Sequence, residues 1–441
     1  MAYEMIALFM FASMMLMLFT GQRVFGAIGA VGAMAALALW GTGGSDIPFS
    51  SAMKLMKWYP LLTLPMFIFM GYVLSESKIA DDLYKMFHIW MGPVRGGLAI
   101  GTIGLMILIS AMNGLSVAGM AIGATIALPE LLKRGYDKKM VTGVIQAGSS
   151  LGILVPPSVV LVLYAMIARQ PVGQLWLAGV MPGLMMAAMF MLYIYIRCRI
   201  QPELGPAMSK EERASITLSQ KLKALNSGLL PLFIFAAMMI PFVKGWTSLV
   251  ESSAIGASTA FLAAVLKGRM SRQVFEVSVR QTLAISCMFM WIILAALGFG
   301  AVFDGLGAVK AIENLFTDQL GLNPWVILIL MQLSFLVMGT FLDDTAMLVI
   351  VAPLYVPLVQ ALGFDLIWYG VLYTITTQIA YMTPPFGYNL FLMRAMAPPE
   401  ITLKDIYGSI GPFVLVMLFA LSLVMAFPQI AMWLPNYVYG N

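Results

Sequence analysis

The chain has 441 residues, of which 61% are hydrophobic and 10% charged, with a formal net charge of +5. A charged share so far below the ~25% of soluble domains excludes a water-exposed globule and makes lipid the solvent. Two cysteines, Cys198 and Cys287, and a single histidine, His88, exclude a zinc or iron–sulfur ligand cluster and a disulfide framework, and the basic residues sit in short loops between apolar runs, where topology rather than nucleic acid accounts for them.

Residues 5–20 form the first apolar run. No Lys or Arg precedes it and Gln22-Arg23 follows it in place of a small-residue cleavage site, so it reads as a retained helix rather than a signal peptide. Residues 1–57 are expected to be N-terminal scaffold helices. Residues 79–91, with His88 beside Trp90, are amphipathic and predict an interfacial helix. Residues 97–132 are apolar except for Asn113-Gly114-Leu115-Ser116 at their middle, where a turn-forming Asn-Gly predicts a re-entrant hairpin. Residues 140–167 form an apolar run broken by Gln146-Ala147-Gly148-Ser149-Ser150-Leu151-Gly152-Ile153-Leu154-Val155-Pro156-Pro157-Ser158. Residues 199–226 are a basic linker; Arg197, Arg199, Lys210, Arg213, Lys221 and Lys223 place this stretch in the cytoplasm by the positive-inside bias. Two spans, 229–243 and 248–266, return the chain to Lys267, Arg269, Arg272 and Arg280 on the same side, which makes 227–280 a central scaffold segment. Glu251 near the start of the second span reads as a cap against the helix dipole. A second hairpin is expected at about 325–360 and a second broken helix at 368–395. The same charge map places the N-terminus outside.

The two halves repeat. At an offset of 228 residues, Pro129, Gly135, Asp137, Pro156 and Pro157 fall on Pro357, Gly363, Asp365, Pro384 and Pro385 without a gap. Residues 58–198 and 281–441 are therefore two copies of one unit. The charge map starts the first outside and the second inside, so the copies are inverted. Inverted repeats with interrupted helices are the architecture of alternating-access carriers, although duplication alone also serves as an assembly device.

Each break is a candidate site. Prolines remove amide donors and glycines loosen the backbone, freeing carbonyls near Ser149 to Val155 from helical bonding. At bilayer depth such backbone is tolerated only inside protein or beside a watery cavity, so these carbonyls and hydroxyls are candidate cation ligands. The second break offers Thr374, Thr376, Thr377, Gln378, Thr383-Pro384-Pro385, Gly387 and Asn389 and is the more polar, so more of the solute contact is expected there. The opposing reading is a proline kink with Ser and Thr bonded to their own backbone. The second hairpin carries Gly339-Thr340-Phe341-Leu342-Asp343-Asp344-Thr345. For its two carboxylates a sodium or proton site stands beside a helix cap with a solvated carboxylate. Hydroxyl, amide and carbonyl oxygens are hard ligands that suit sodium better than a transition metal. Arg394 admits two readings, a clamp on a solute carboxylate or a topological charge. The 38 methionines are scattered and read as adaptable packing.

In order and spacing, Asn113-Gly114-Leu115-Ser116, Leu128-Pro129, Gly135-Tyr136-Asp137, Leu151-Gly152-Ile153-Leu154-Val155-Pro156-Pro157-Ser158, Gly179-Val180-Met181-Pro182-Gly183, Glu251-Ser252-Ser253-Ala254-Ile255-Gly256-Ala257, Gly363-Phe364-Asp365 and Thr383-Pro384-Pro385-Phe386-Gly387 form one series. The series resembles the large membrane subunit of TRAP (tripartite ATP-independent periplasmic) transporters, the DctM-like family, over nearly the whole chain.

The resemblance implies an all-α polytopic protein of the bacterial inner membrane. It would have two inverted repeats, each with a re-entrant hairpin and a discontinuous helix, and would act as a sodium-driven, elevator-type importer of organic acids. It implies a small DctQ-like membrane subunit and a periplasmic DctP-like binding protein as partners, and at least two sodium sites at the hairpin tips and breaks. Candidate sodium ligands are Asn113, Ser116, Ser149, Ser150, Gly152, Asp344, Thr345, Thr377 and Thr383; candidate solute contacts are Ser158, Gln378, Pro384, Gly387, Asn389 and Arg394. The family's first hairpin usually reads like Ser-Gly-Ser-Ala, so Asn113-Gly114-Leu115-Ser116 is a departure that leaves the first sodium shell to different groups. The rival is a stand-alone ion-coupled carboxylate carrier. An enzyme would need a nucleophile–base pair or a metal motif, and the sequence shows neither.

Overall fold

Where water is absent, a segment must satisfy its backbone polar groups by itself, and the chain responds by being helical, with no strand among the described residues. The computed structural model describes residues 3–20, 22–114, 116, 119–120, 123–208, 217–314, 321–339, 344–384 and 387–440. The first helices are α1 (Tyr3–Phe19), α2 (Val24–Leu39), α3 (Asp46–Met56), α4 (Thr63–Glu76) and the amphipathic α5 (Ile79–Met91). The chain continues with α6 (Gly97–Asn113), a π-helical turn at Gly123–Ala127, α7 (Leu128–Lys133), α8 (Lys138–Ser150), α9 (Val159–Ala168) and α10 (Val172–Ile200). The centre holds α11 (Leu218–Val243), α12 (Leu249–Leu266), α13 (Arg272–Gly305) and α14 (Ala308–Asn314). The second half holds α15 (Pro324–Gly339), α16 (Asp344–Ala361), α17 (Leu366–Tyr381), α18 (Tyr388–Met396), α19 (Leu403–Ala426) and α20 (Gln429–Tyr439).

Helix length sorts these elements. Tyr59–Glu76, Val172–Ile200, Leu218–Val243, Leu249–Leu266, Arg272–Gly305 and Leu403–Ala426 are long and apolar enough to cross a membrane. By contrast α8 has 13 residues and α9 has 10, about 20 and 15 Å of helix, so neither crosses a core of about 30 Å alone. α17 and α18, with 16 and 9 residues, make the corresponding pair.

Two packing groups result. α13 lies along α2, α3 and α4, while α12 packs against α4 and α11, and α5 against α11. The α2–α13 approach is close enough that a Cβ on Gly32 would stand 3.0 Å from the Phe299 Cα, so a small residue there sets the helix spacing. In the second group α8 packs on α6 and α19, α17 on α15 and α19, and α10 on α6, α17 and α20. The groups meet where α6 touches α4 and α5, and where α16 touches α13.

The basic stretch expected as a linker is partly helical. α10 continues to Ile200 and α11 begins at Leu218, ten residues or so before its apolar core. Thr217 and Gln220 form a capping box: the Gln220 amide donates to the Thr217 hydroxyl at 3.3 Å and the Thr217 amide to the Gln220 side chain at 2.9 Å. Backbone capping, not hydropathy, sets where that helix starts. Ser248 and Glu251 cap α12 in the same way.

Duplication extends to individual hydrogen bonds. Asp137 Oδ1 accepts from the amides of Lys139 and Met140, both at 3.0 Å, and Asp365 Oδ1 accepts from Ile367 and Trp368, both at 2.8 Å. Ahead of each cap, Tyr136 N–H reaches the Leu131 carbonyl and Phe364 N–H the Val359 carbonyl, each at 3.1 Å. Gly135 and Gly363 turn the chain at φ +79° and +78°. These residues correspond at the offset found in the sequence, so each half-helix is started by the same device.

Candidate functional site

α8 ends at Ser150, passes through a 3-10 turn at Leu151–Ile153 and resumes as α9, whose N-cap is Ser158. The Ser158 hydroxyl donates to the Ile153 carbonyl and accepts from Leu161 N–H at 3.2 Å, while its carbonyl accepts from Trp176 Nε1 at 3.3 Å. The hydroxyl and carbonyl of Ser158 are thus engaged in shaping the break. The first hairpin docks on the same place, because the Gly114 carbonyl accepts from Val159 N–H at 3.2 Å. Gly114 has φ +66°, and a Cβ there would stand 2.5 Å from the Pro157 carbonyl, so only glycine allows this approach.

A knot of polar side chains lies where the breaks meet. Ser116 Oγ donates to Asn389 Oδ1 at 3.1 Å, and Asn389 Nδ2 stands 3.5 Å from both the Gln146 carbonyl and Ser149 Oγ. Gln378 Nε2 donates to the Ser150 carbonyl at 2.9 Å. Gln146, Ser149, Ser150, Gln378 and Asn389 are completely buried and Ser116 nearly so. First hairpin, first break and second break therefore converge on one interior.

The hydroxyls of the two breaks are oriented. Ser149 donates to the Gln146 carbonyl at 2.9 Å, Ser150 to Ala147 at 2.8 Å, Thr377 to Tyr373 at 2.9 Å and Thr383 to Ile379 at 2.6 Å. A hydroxyl that sends its proton back to its own helix keeps its lone pairs outward, where they are acceptors only. Gln146 Oε1 and Gln378 Oε1 are buried with no donor. Leaving such an oxygen unsatisfied costs about 1–3 kcal/mol, and a hard cation would remove that cost. The donor set fits sodium: neutral oxygens, and no cluster of three His, Cys, Asp or Glu among the described residues to favour a transition metal.

Other candidates lie apart. Gly152 is buried in the 3-10 turn, supplying backbone only. Gly387, at φ +47°, is the N-cap of α18, and a Cβ would stand 2.9 Å from the Tyr381 carbonyl. Pro384 is exposed. Arg394 is exposed, and its Nη1 donates to the Ile401 carbonyl at 2.9 Å, tying down the turn after α18. The side chains of Asn113, Asp344 and Thr345, and all of Asp343, lie outside the described residues, as do Pro385 and Phe386.

Two side chains of the interior escape a reading by sequence. Gln146 Nε2 reaches Thr142 O at 3.1 Å and Ser409 Oγ at 3.2 Å on α19. Gln332 Oε1, on α15, accepts from Thr376 Oγ1 at 2.5 Å and ties α15 to α17. A glutamine inside an apolar helix is itself the signal, since it must find a partner; which partner is a matter of tertiary structure.

Comparison with known proteins agrees with this architecture. The family described as "Tripartite ATP-independent periplasmic transporter, DctM component" matches residues 11–430. The chain is 30% identical over 395 residues to the C4-dicarboxylate TRAP transporter large permease protein DctM of Pseudomonas aeruginosa, covering 88% of this chain and 90% of that one. It is 26% identical to the ectoine TRAP transporter large permease TeaC of Halomonas elongata, covering 90% and 91%, and 25% identical to the sialic acid TRAP transporter large permease SiaM of Vibrio cholerae, covering 90% and 92%. Among solved structures, the Alcanivorax borkumensis YdaH transporter superposes with a TM-score of 0.67 at 15% identity, over 95% of this chain and 99% of that one. MtrF of Neisseria gonorrhoeae superposes at 0.58 and 16%, over 90% and 85%. At these identities the structural likeness is one of fold. Together with the two broken helices and the hairpin docked between them, the match over residues 11–430 places the chain in the tripartite ATP-independent periplasmic transporter family, as a large, DctM-type membrane component.

Proposed function

We propose that the chain is the permease of a sodium-coupled importer of a small organic acid, working in a bacterial inner membrane with its N-terminus periplasmic. It would act with a small membrane subunit and a periplasmic binding protein. The observation that carries this reading is the contact between the two breaks: Gln378 on the second with the Ser150 carbonyl on the first, beside the Ser116–Asn389 bond. In an inverted pair related about an axis in the membrane plane, the shared interior faces either side as the two halves exchange conformations. The solute class is supported by the relatives, whose names give C4-dicarboxylates, ectoine and sialic acid. Each of these carries a carboxylate, whereas the isethionate named for another relative carries a sulfonate.

Sodium would be held by the outward lone pairs of Ser149, Ser150, Thr377 and Thr383 and by the unsatisfied amide oxygens of Gln146 and Gln378. Ser116, Asn113, Asp344 and Thr345 are the candidates at the hairpin tips. When bound, the ion supplies positive charge beside the solute carboxylate and the free energy of its gradient. The residues do the rest: Asn389 ties hairpin to break, and Gln378 ties one break to the other. Because the hydroxyl protons already point into their helices, the site loses little reorganisation energy when a cation enters.

Reconstitution into liposomes with an imposed sodium gradient tests the reading. Uptake of a labelled C4-dicarboxylate or related acid should require sodium, the small subunit and the loaded binding protein together. Uptake by the large chain alone would overturn the tripartite reading, and sodium-independent uptake would overturn the coupling.

A further inference from the structure

A cavity of about 550 Å³ lies away from the polar interior, between α3, the reversal that joins α9 to α10, and α13. Its volume is in the range of small-molecule sites, about 300–1,000 Å³. α3 contributes Ser51 and Lys54, Trp58 follows its last turn, the reversal contributes Arg169 and Gln170, and α13 contributes Leu297. No acidic residue lines it. Among the described residues neither Lys54 nor Arg169 has a carboxylate partner.

Arg169 occupies the left-handed region, φ 54° and ψ 38°, as the C-cap of α9. This is the position that glycine or asparagine usually fills, since a Cβ is disfavoured there. The backbone accepts a disfavoured residue at the point that brings a guanidinium to the cavity. Ser51 is buried on the same wall, and Gln170 has its amide nitrogen on the Ala168 carbonyl at 3.2 Å. A point charge, a planar fork and a hydroxyl on two walls, with an indole and a leucine between them, make a receptor for an oxyanion carried on a short apolar body.

We infer that this cavity is a second anion site, binding the carboxylate of a small organic acid through Lys54 and Arg169. It is distinct from the interior where the breaks meet. The assignment of a carboxylate solute rests on the proposed function; the oxyanion chemistry does not. Lys54 sits in the group packed on α13, whereas Arg169 sits on the first broken helix. The two charges therefore come together only when those groups are apposed as they are here, so a bound anion favours this arrangement. The charge map places this end on the periplasmic side, where solute arrives.

The test is binding of succinate to the full chain with its small subunit in nanodiscs of zwitterionic lipid, with and without sodium. A sodium-independent component is expected, weakening as ionic strength rises. Lys54→Gln and Arg169→Gly should each weaken it at least tenfold, and the double variant should abolish it; Arg169→Gly also relieves the left-handed backbone, so folding is preserved. Arg169→Lys should retain most of it. Sodium-independent binding absent from the wild type, or unchanged in the double variant, would overturn the site. Loss of only the sodium-dependent component would strike instead at the reading of the polar interior. Repeating the titration with phosphatidylglycerol separates the sources of the oxyanion. Competition that depends on Lys54 and Arg169 identifies a lipid phosphate as an occupant of the same site, and its absence identifies the solute.

Discussion

Gln378 Nε2 donates to the Ser150 carbonyl at 2.9 Å, and the two residues stand 228 apart, at the same position of the two repeats. The bond ties the end of α8 to the middle of α17. This bond is one place where the two breaks meet, and it adds a side-chain donor to a carbonyl at the junction of α8 and the 3-10 turn. Gln378→Ala removes this hydrogen bond between the breaks, at a cost of about 0.5–1.5 kcal/mol. The purified variant should unfold at a lower temperature than the wild type and lose most sodium-driven uptake. Unchanged thermal stability would show that the bond does not hold the halves together.

Ser149 and Thr377 lie at equivalent positions and turn their protons back to Gln146 and Tyr373. Replacing both by alanine removes two outward acceptors while leaving the helical backbone intact. The sodium concentration for half-maximal uptake should rise at least tenfold in Ser149→Ala/Thr377→Ala, as two lost ligands of about 1 kcal/mol each would give. A sodium activation curve superimposable on the wild type would remove both residues from the site.

Asn389 connects Ser116, Gln146 and Ser149, the strongest link being Ser116 at 3.1 Å. Asn389→Leu conserves size and deletes every one of these bonds, leaving the Ser116 donor without its acceptor. Uptake should fall by at least tenfold, with a stability loss of about 1–2 kcal/mol. Full activity in proteoliposomes would show that the hairpin tip is held by its backbone bond to Val159 alone.

Gly135 and Gly363 test whether the two copies are energetically as well as geometrically equivalent. Their φ values are +78° to +79°, and an added Cβ would meet nothing within 4 Å at Gly363 and only Pro206 at 3.9 Å at Gly135. The cost of alanine is then backbone strain alone, about 1–2 kcal/mol at each. Matched drops in unfolding temperature are expected. Gly143→Ala should be worse despite normal φ, because its Cβ would meet Phe413 at 2.6 Å and the Ser409 carbonyl at 2.8 Å.

The helix-starting aspartates offer a further pairing. Asp137→Ala and Asp365→Ala each remove two amide acceptors at the start of a half-helix, worth about 0.5–2 kcal/mol. Hydrogen exchange at Lys139 and Met140, or at Ile367 and Trp368, should quicken locally in the respective variant. Exchange that stays at wild-type rates would show that packing alone holds those ends.

What the sequence determined by itself is the class, the breaks and the repeat. Composition demands lipid, prolines and glycines at Gly152, Pro156 and Pro157 interrupt a helix wherever it packs, and a duplicated Gly-aromatic-Asp turn folds alike in both places, because these are local backbone effects. The start of α11 was less legible, since a capping box at Thr217 extends a helix beyond its apolar stretch. The partners inside the site belong to the tertiary structure alone. Gln146 finds Ser409, Thr376 finds Gln332, Ser116 finds Asn389 and Lys54 comes to the same cavity as Arg169. A hydroxyl or amide in an apolar helix announces that it needs a partner, but the partner lies up to 273 residues away, and only the packing of the helices brings it within 3 Å or so.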